Sequence, residues 1–193
     1  RTLLAPPQIA GANFVGTKEC AQCHEEKAEH FGGASHARLN LGDAKVGNTG
    51  CEGCHGPASL HVASGGARGT IVNPRQSPEA CFQCHLDKRA QFSLPNSHDV
   101  LHGKMSCADC HEPHKGNVIA GTGLDLEAMN ATCTKCHTQQ KGPFVYEHGA
   151  MREGCVACHN PHGTVNQKML LARDANLCLR CHLEVGDPGS SGQ

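Results

Sequence analysis

The sequence predicts a chain that is mostly coil with short α-helices and little or no β-sheet, organised around something other than its own side chains. Three observations carry that expectation. Leu, Ile, Val and Phe together supply only 33 of 193 residues, too few for an ordinary core of this length. Gly (23) and Pro (10) recur through the connections, as at Gly32-Gly33, Gly65-Gly66, Asn73-Pro74 and Gly121-Thr122-Gly123, and such residues mark turns rather than strands. The share that aliphatic residues usually take is occupied by 14 Cys and 15 His. A chain this poor in apolar residues is normally disordered when its net charge is high, but the formal charge here is only −1.

Composition also excludes several functions. Five Phe, one Tyr and no Trp leave almost no surface on which bases could stack. Lys and Arg are scattered without a basic block, so nucleic acid is not an expected partner. No stretch approaches the roughly 18 apolar residues of a membrane span. The opening residues Arg1 to Pro7 do not read as a charged and then apolar leader, and the expectation is a processed, soluble chain.

All fourteen cysteines fall into seven C-x-x-C pairs, each followed at once by His: Cys20/Cys23/His24, Cys51/Cys54/His55, Cys81/Cys84/His85, Cys107/Cys110/His111, Cys133/Cys136/His137, Cys155/Cys158/His159 and Cys178/Cys181/His182. The pattern is that of c-type haem attachment. Two thiols three positions apart can add to the two vinyl groups of one porphyrin, and the adjacent His then reaches the iron. Disulfides make no demand for His after every second Cys. Structural zinc brings two C-x-x-C pairs to one ion, and seven pairs leave one stranded. Iron–sulfur runs such as C-x₂-C-x₂-C do not occur. The expected cofactors are seven haem c groups.

Successive motifs start 31, 30, 26, 26, 22 and 23 residues apart, which suggests two-haem modules at about 20–80, 81–132 and 133–177 and a terminal haem at 178–182. Residues 1–19 form an N-terminal arm, 20–182 one heptahaem unit and 183–193 a C-terminal tail. The arm is a frayed end or a segment docked on another surface. Helices are expected at Glu19–His30, Glu79–Gln91, Leu124–Cys136 and Ala175–Cys181, each carrying a motif near one end.

Eight histidines remain outside the motifs: His30, His36, His61, His98, His102, His114, His148 and His162. Seven irons need seven sixth ligands, and the near match argues for bis-histidine ligation. The four Met (Met105, Met129, Met151 and Met169) hold no repeated position. His36, His98 and His148 follow the first proximal His of their modules by 12, 13 and 11 residues, and His61, His114 and His162 follow the second motif closely. These six are read as distal ligands. The seventh is expected to be His102 rather than His30, the other being a solvated bystander. A ligand donated by a neighbouring molecule is the remaining possibility.

The segments Cys-Ala-Gln-Cys-His-Glu-Glu-Lys (20–27), Ser-His-Ala-Arg (35–38), Cys-Glu-Gly-Cys-His-Gly-Pro (51–57), Ser-Cys-Ala-Asp-Cys-His-Glu-Pro-His (106–114) and Cys-Val-Ala-Cys-His-Asn-Pro-His-Gly (155–163) resemble the DmsE/MtrA type of multihaem cytochrome c. So does the run from Leu170 to His182. The resemblance covers roughly residues 17–183. It implies a line of bis-His haems relaying electrons in the periplasm, in some members inside an outer-membrane porin, with His36, His61, His98, His114, His148 and His162 as ligands. The family pattern has ten haems and this chain has seven motifs.

The expected function is therefore electron transfer along a row of seven bis-histidine haems, by a periplasmic or extracellular carrier that meets other redox proteins, multihaem cytochromes or a porin. The alternative is a homopolymeric filament in which haems of successive subunits abut. A multihaem reductase is the third reading. It is disfavoured because such enzymes often alter one motif, and all seven here are intact.

Overall fold

The computed structural model describes residues 7–38, 50–115 and 126–182, which include every Cys, His and Met of the chain. The helices are short: α1 (Thr17–Ala21), α2 (Glu25–Gly32), α3 (Glu52–His55), α4 (Ser59–Ala63), α5 (Glu79–Phe82), α6 (Leu86–Phe92), α7 (Leu126–Thr134) and α8 (Ala175–Cys178). Single 3₁₀ turns lie at Ser35–Arg38, Cys107–Asp109, Thr138–Gln140, Gly149–Glu153, Cys155–Ala157 and Gln167–Met169. Among the described residues the β-pairing is confined to two isolated bridges, Asn96 with Thr164 and His159 with Leu170. None of these helices reaches the roughly 12–15 residues at which an isolated helix becomes marginally stable in water, so each depends on what it packs against.

The expected long helices are broken, and the break falls at the motif. Glu19–His30 is split into α1 and α2, and Glu79–Gln91 into α5 and α6, because His24 (φ −116°, ψ 45°) and His85 (φ −98°, ψ 53°) leave helical geometry. Cys23 and Cys84, expected inside those two helices, therefore stand instead on the turns that separate their halves. His137 does the same as His24 at φ −88°, ψ 57°, after α7 has ended at Thr134, and Cys136 falls in the turn before it. A positive ψ at this residue takes the chain out of the helix immediately after the thiol-bearing turn. Residues 124 and 125 of the expected Leu124–Cys136 helix lie outside the described residues. The helix starting at Ala175 stops at Cys178, three residues early, and leaves Cys181 in a turn as well.

Among the described residues the buried hydrophobic side chains are Ala34, Ala58, Ala80, Phe82 and Val100. Only Phe82 is large and fully buried. Its ring lies 6.2 Å from that of Phe92, with the Arg89 guanidinium 5.9 Å from its centre. This is a cluster beside one motif, not a core for the molecule.

A polar anchor holds the N-terminal residues instead. Glu52, buried at 5% exposure, accepts hydrogen bonds from the amides of Val15 (3.0 Å), Gly16 (2.8 Å) and Ala58 (2.9 Å). Asn13 and Ser59 add a reciprocal pair, Asn13 N–H to Ser59 Oγ at 2.8 Å and Ser59 N–H to the Asn13 carbonyl at 3.1 Å. Residues 7–16 are thereby laid against the second motif of their own chain. Replacing Glu52 by Ala strands three amides and is expected to cost about 3 kcal/mol. Guanidinium unfolding followed in the Soret band measures it, and an unchanged midpoint would show that the anchor carries no stability.

Candidate haem-binding sites

The seven motifs fold into one repeated turn. In each, the His amide donates to the carbonyl of the first Cys, at 2.9 Å for His24, His111 and His182, 3.0 Å for His55, His137 and His159, and 3.1 Å for His85. The second Cys amide reaches the same carbonyl at 3.1–3.3 Å, as from Cys23 to Cys20 at 3.3 Å. One shared acceptor thus fixes both thiols and the imidazole relative to one another. All fourteen cysteines are free, and among the described residues no three His, Cys, Asp or Glu converge as a metal cage would require.

The two thiols of a motif differ in exposure. The first Cys is half-buried in six motifs, whereas the second is exposed in six: Cys23, Cys54, Cys84, Cys110, Cys136 and Cys181. Cys23 is thus an exposed thiol on a turn, where the expected Glu19–His30 helix would have placed it inside a helix. Its outward position follows from the chain's departure from helical geometry at His24, and it leaves the sulfur open to a porphyrin edge lying outside the polypeptide.

Six motif histidines face a second imidazole, and in every case the partner comes from outside the motifs. His24 lies 6.5 Å from His61, His36 6.2 Å from His85, and His55 6.2 Å from His114 (ring centre to ring centre). His98 lies 6.2 Å from His137, His111 6.1 Å from His162, and His148 6.0 Å from His182. A metal–imidazole bond of about 2 Å on each side, plus about 1.2 Å from nitrogen to ring centre, gives about 6.4 Å between the centres of two imidazoles on one ion. The spacing therefore suits an iron held between each pair, and the donor set fits haem c.

Hydrogen bonds to Nδ1 orient several of these rings. Val72 O lies 2.9 Å from His55 Nδ1, Pro161 O 2.7 Å from His98 Nδ1 and Glu112 Oε1 2.9 Å from His114 Nδ1. His61 Nδ1 has Ala67 O at 3.2 Å. A proton held on Nδ1 in this way leaves the Nε2 lone pair for a metal and fixes the ring's tilt. Burial lowers the pKa of His36 and His55 and brings that of His162 to about 4, so these imidazoles are neutral, as ligands must be. Phe92 packs edge-on against His162 at 5.4 Å.

Gly163, next to His162, has φ +144°, and a Cβ there would come within 2.3 Å of the Gln91 carbonyl. Gly163→Ala is expected to displace His162 and to cost at least about 2 kcal/mol. Loss of one low-spin iron signal together with a lowered unfolding midpoint checks it; a variant with both unchanged would mean that the close approach is not needed.

The thiols record how the motifs follow one another. Burial and the neighbouring Cys51 push the Cys20 thiol up to about 11, and burial and Cys155 do the same to Cys133. A hydrogen bond between Cys81 and Cys107 raises the former and lowers the latter to about 7. Cys54 is raised by burial and then by Cys84, and Cys110 by burial, Asp109 and Cys136. First cysteines thus meet within motif pairs 1–2, 3–4 and 5–6, while second cysteines stand near one another between pairs 2–3 and 4–5. The Leu171 amide donates to the Cys158 carbonyl at 2.9 Å, which brings the approach to the seventh motif against the sixth.

This pairing was not legible from spacing. His36, His98 and His148 each lie beside the first motif of the following module, not within their own. His30 and His102 face no motif histidine. His102, the expected seventh ligand, is bound to Asp99, which also holds Lys104 at 2.9 Å. His30 stands 4.0 Å from Glu26.

Seven identical C-x-x-C-H turns and their opposed imidazoles make the chain a multihaem c-type cytochrome. Residues 98–142 and 148–186 match the doubled CXXCH motif family. The chain is 33% identical over 168 residues to the multiheme cytochrome MtrA of Shewanella baltica (strain OS185), covering 86% of this chain and 45% of that protein. It is 28% identical over 182 residues to the multiheme cytochrome MtrC of the same strain, covering 82% of this chain and 26% of that one. These similarities support a multihaem cytochrome c of the MtrA type, and the chain spans less than half the length of these two relatives. Among the described residues no helix is long and apolar enough to cross a membrane.

Proposed function

We propose that the chain transfers electrons along a single row of seven covalently held haem c groups, arranged in the order of the motifs. The observation that carries this reading is the set of six opposed imidazole pairs at 6.0–6.5 Å, each joining a motif His to a non-motif His. The bound haem supplies an iron that takes up and releases one electron. The chain does the rest. Each Cys pair would hold one haem through two thioether links, at six motifs the motif His and its partner would bind the iron through Nε2, and the Nδ1 acceptors fix the rings of His55, His61, His98 and His114. An iron held between two imidazoles would leave no room for substrate at these six motifs, which favours transfer over bond-making chemistry. The alternating thiol contacts support a continuous row, because about 28 residues per motif (193 over seven) cannot insulate one porphyrin from the next. Haem propionates add negative charge to a chain of formal charge −1 and favour basic or cationic redox partners.

Covalent haem attachment takes place outside the cytoplasm, so the protein is assigned to the periplasm or the cell surface. Its partners are then other redox proteins, including multihaem cytochromes, with a porin as one candidate housing. A second reading, a subunit of a conducting filament, is favoured by the one motif histidine, His159, that faces no imidazole among the described residues. Pyridine haemochrome titration against protein mass is expected to give seven haems per chain. A lower count would overturn the row.

A further inference from the structure

The six opposed imidazole pairs divide by the angle between their rings. At the first, second and fourth motifs the planes are close to parallel: His24 and His61 at 12°, His55 and His114 at 15°, His111 and His162 at 25°. At the third, fifth and seventh they cross: His36 and His85 at 89°, His98 and His137 at 59°, His148 and His182 at 61°. No pair falls between 25° and 59°. His159, which faces no imidazole among the described residues, is placed in neither group.

The division follows the origin of the non-motif ring. His61, His114 and His162 stand six, three and three residues beyond His55, His111 and His159, and all three form near-parallel pairs. His36, His98 and His148 come from the longer stretches, 12, 13 and 11 residues beyond His24, His85 and His137, and all three form crossed pairs. Their local backbones differ accordingly: His61 lies on α4, whereas His36 lies in the 3₁₀ turn Ser35–Arg38 and His148 precedes that at Gly149–Glu153. Contacts to Nδ1 then fix the tilt. The Ala67 and Val72 carbonyls and the Glu112 carboxylate hold His61, His55 and His114 in the near-parallel group, and the Pro161 carbonyl holds His98 in the crossed one. Contacts of this kind orient a ligand and tune the metal it binds.

The angle matters to an iron held between two rings. An imidazole donates π density into the iron d orbital that lies perpendicular to its plane. Parallel rings therefore raise the same member of a near-degenerate orbital pair, and crossed rings raise both. In low-spin ferric iron the single hole settles in the raised orbital, so parallel rings split the pair and stabilise the oxidised state. Crossed rings leave the pair nearly degenerate and forgo that gain. In ferrous iron both orbitals are full and the angle gains nothing.

We propose that the chain sorts its haems into two electronic classes by ring angle, the crossed sites at the third, fifth and seventh motifs taking electrons before the near-parallel sites at the first, second and fourth. The two classes presuppose the bound haems proposed above. Ring angle is a finer adjustment than a change of ligand, and it biases electrons that enter at the first two motifs toward the later ones.

The test uses the full haem-loaded protein, with haem count and low-temperature electron paramagnetic resonance of the oxidised form, followed through a reductive titration. At least three irons are expected to give resolved rhombic low-spin spectra, and at least three the broad, strongly anisotropic low-spin signal of a near-degenerate ion. The anisotropic signals are expected to vanish first as the potential is lowered. His114→Ala is expected to remove one rhombic component and His148→Ala one anisotropic component, each adding one high-spin iron that free imidazole returns to low spin. Low-spin irons all of one form, or rhombic signals lost first in the titration, would overturn the proposal. So would a His114→Ala protein that loses an anisotropic component, or a His148→Ala protein that loses a rhombic one. Where either variant fails to fold, the spectrum and titration of the unaltered protein decide alone. A haem count below seven, or an oxidised protein without low-spin iron, would defeat the underlying haem reading instead.

Discussion

Produced without haem attachment, the chain is expected to be unfolded at neutral pH, with a coil-like circular dichroism spectrum and no cooperative thermal transition. Among the described residues only Phe82, Val100 and three Ala are buried apolar side chains, and burying one large apolar side chain contributes about 1.5–3 kcal/mol. Ordering the backbone costs about 1–2 kcal/mol per residue. The helices span four to nine residues and cannot persist on propensity. The hydrogen bonds that remain, such as those of Glu52, are local and cannot close the difference. The porphyrin faces have to supply the apolar surface that the sequence lacks. The expected loss is thus of the whole fold, larger than any single substitution can produce. An apo-chain with native-like helix content and a sharp transition would mean that the polypeptide holds itself together.

What the sequence made legible follows the same division. The motifs were plain because covalent chemistry demands a fixed local spacing, and all seven fold into one turn. The shortage of sheet followed from Gly, Pro and the missing aliphatic residues. The helix ends were not legible, because helical periodicity runs through Cys20–His30 and Cys81–Gln91 while the ligand role of His24 and His85 interrupts it and puts Cys23 and Cys84 on turns. Neither was the pairing. A distance along the chain says how far His98 is from His85 but not that Pro161 will hold it against His137. Glu52 gave no signal either: a Glu inside a C-x-x-C looks like a solvated residue, and only the fold brings the amides of Val15, Gly16 and Ala58 to it.

Exchanging the distal ligand of the central motif is expected to have the largest effect on transport. His162 lies 6.1 Å from His111, is half-buried and packs edge-on against Phe92, so a thioether placed there keeps one apolar contact. His162→Met is therefore expected to leave seven haems per chain and to raise one midpoint potential, since Met ligation favours the reduced iron. Axial ligands tune such potentials over about 0.8 V, and a rise on the order of 0.1 V is a modest share of that range. For a one-electron couple about 59 mV is tenfold, so about 0.12 V makes leaving the central site about a hundredfold less favourable. In a single row no detour exists. Electrons are expected to enter from either end and stall at the fourth motif, slowing end-to-end transfer while the donor-side and acceptor-side reactions keep their rates. Spectroelectrochemistry of the variant should resolve one raised wave among seven, and His102→Met, away from any motif His, should resolve none. An unshifted set of potentials in His162→Met would remove His162 from the ligands, and an unslowed transfer with the shift present would mean that the haems do not lie in single file.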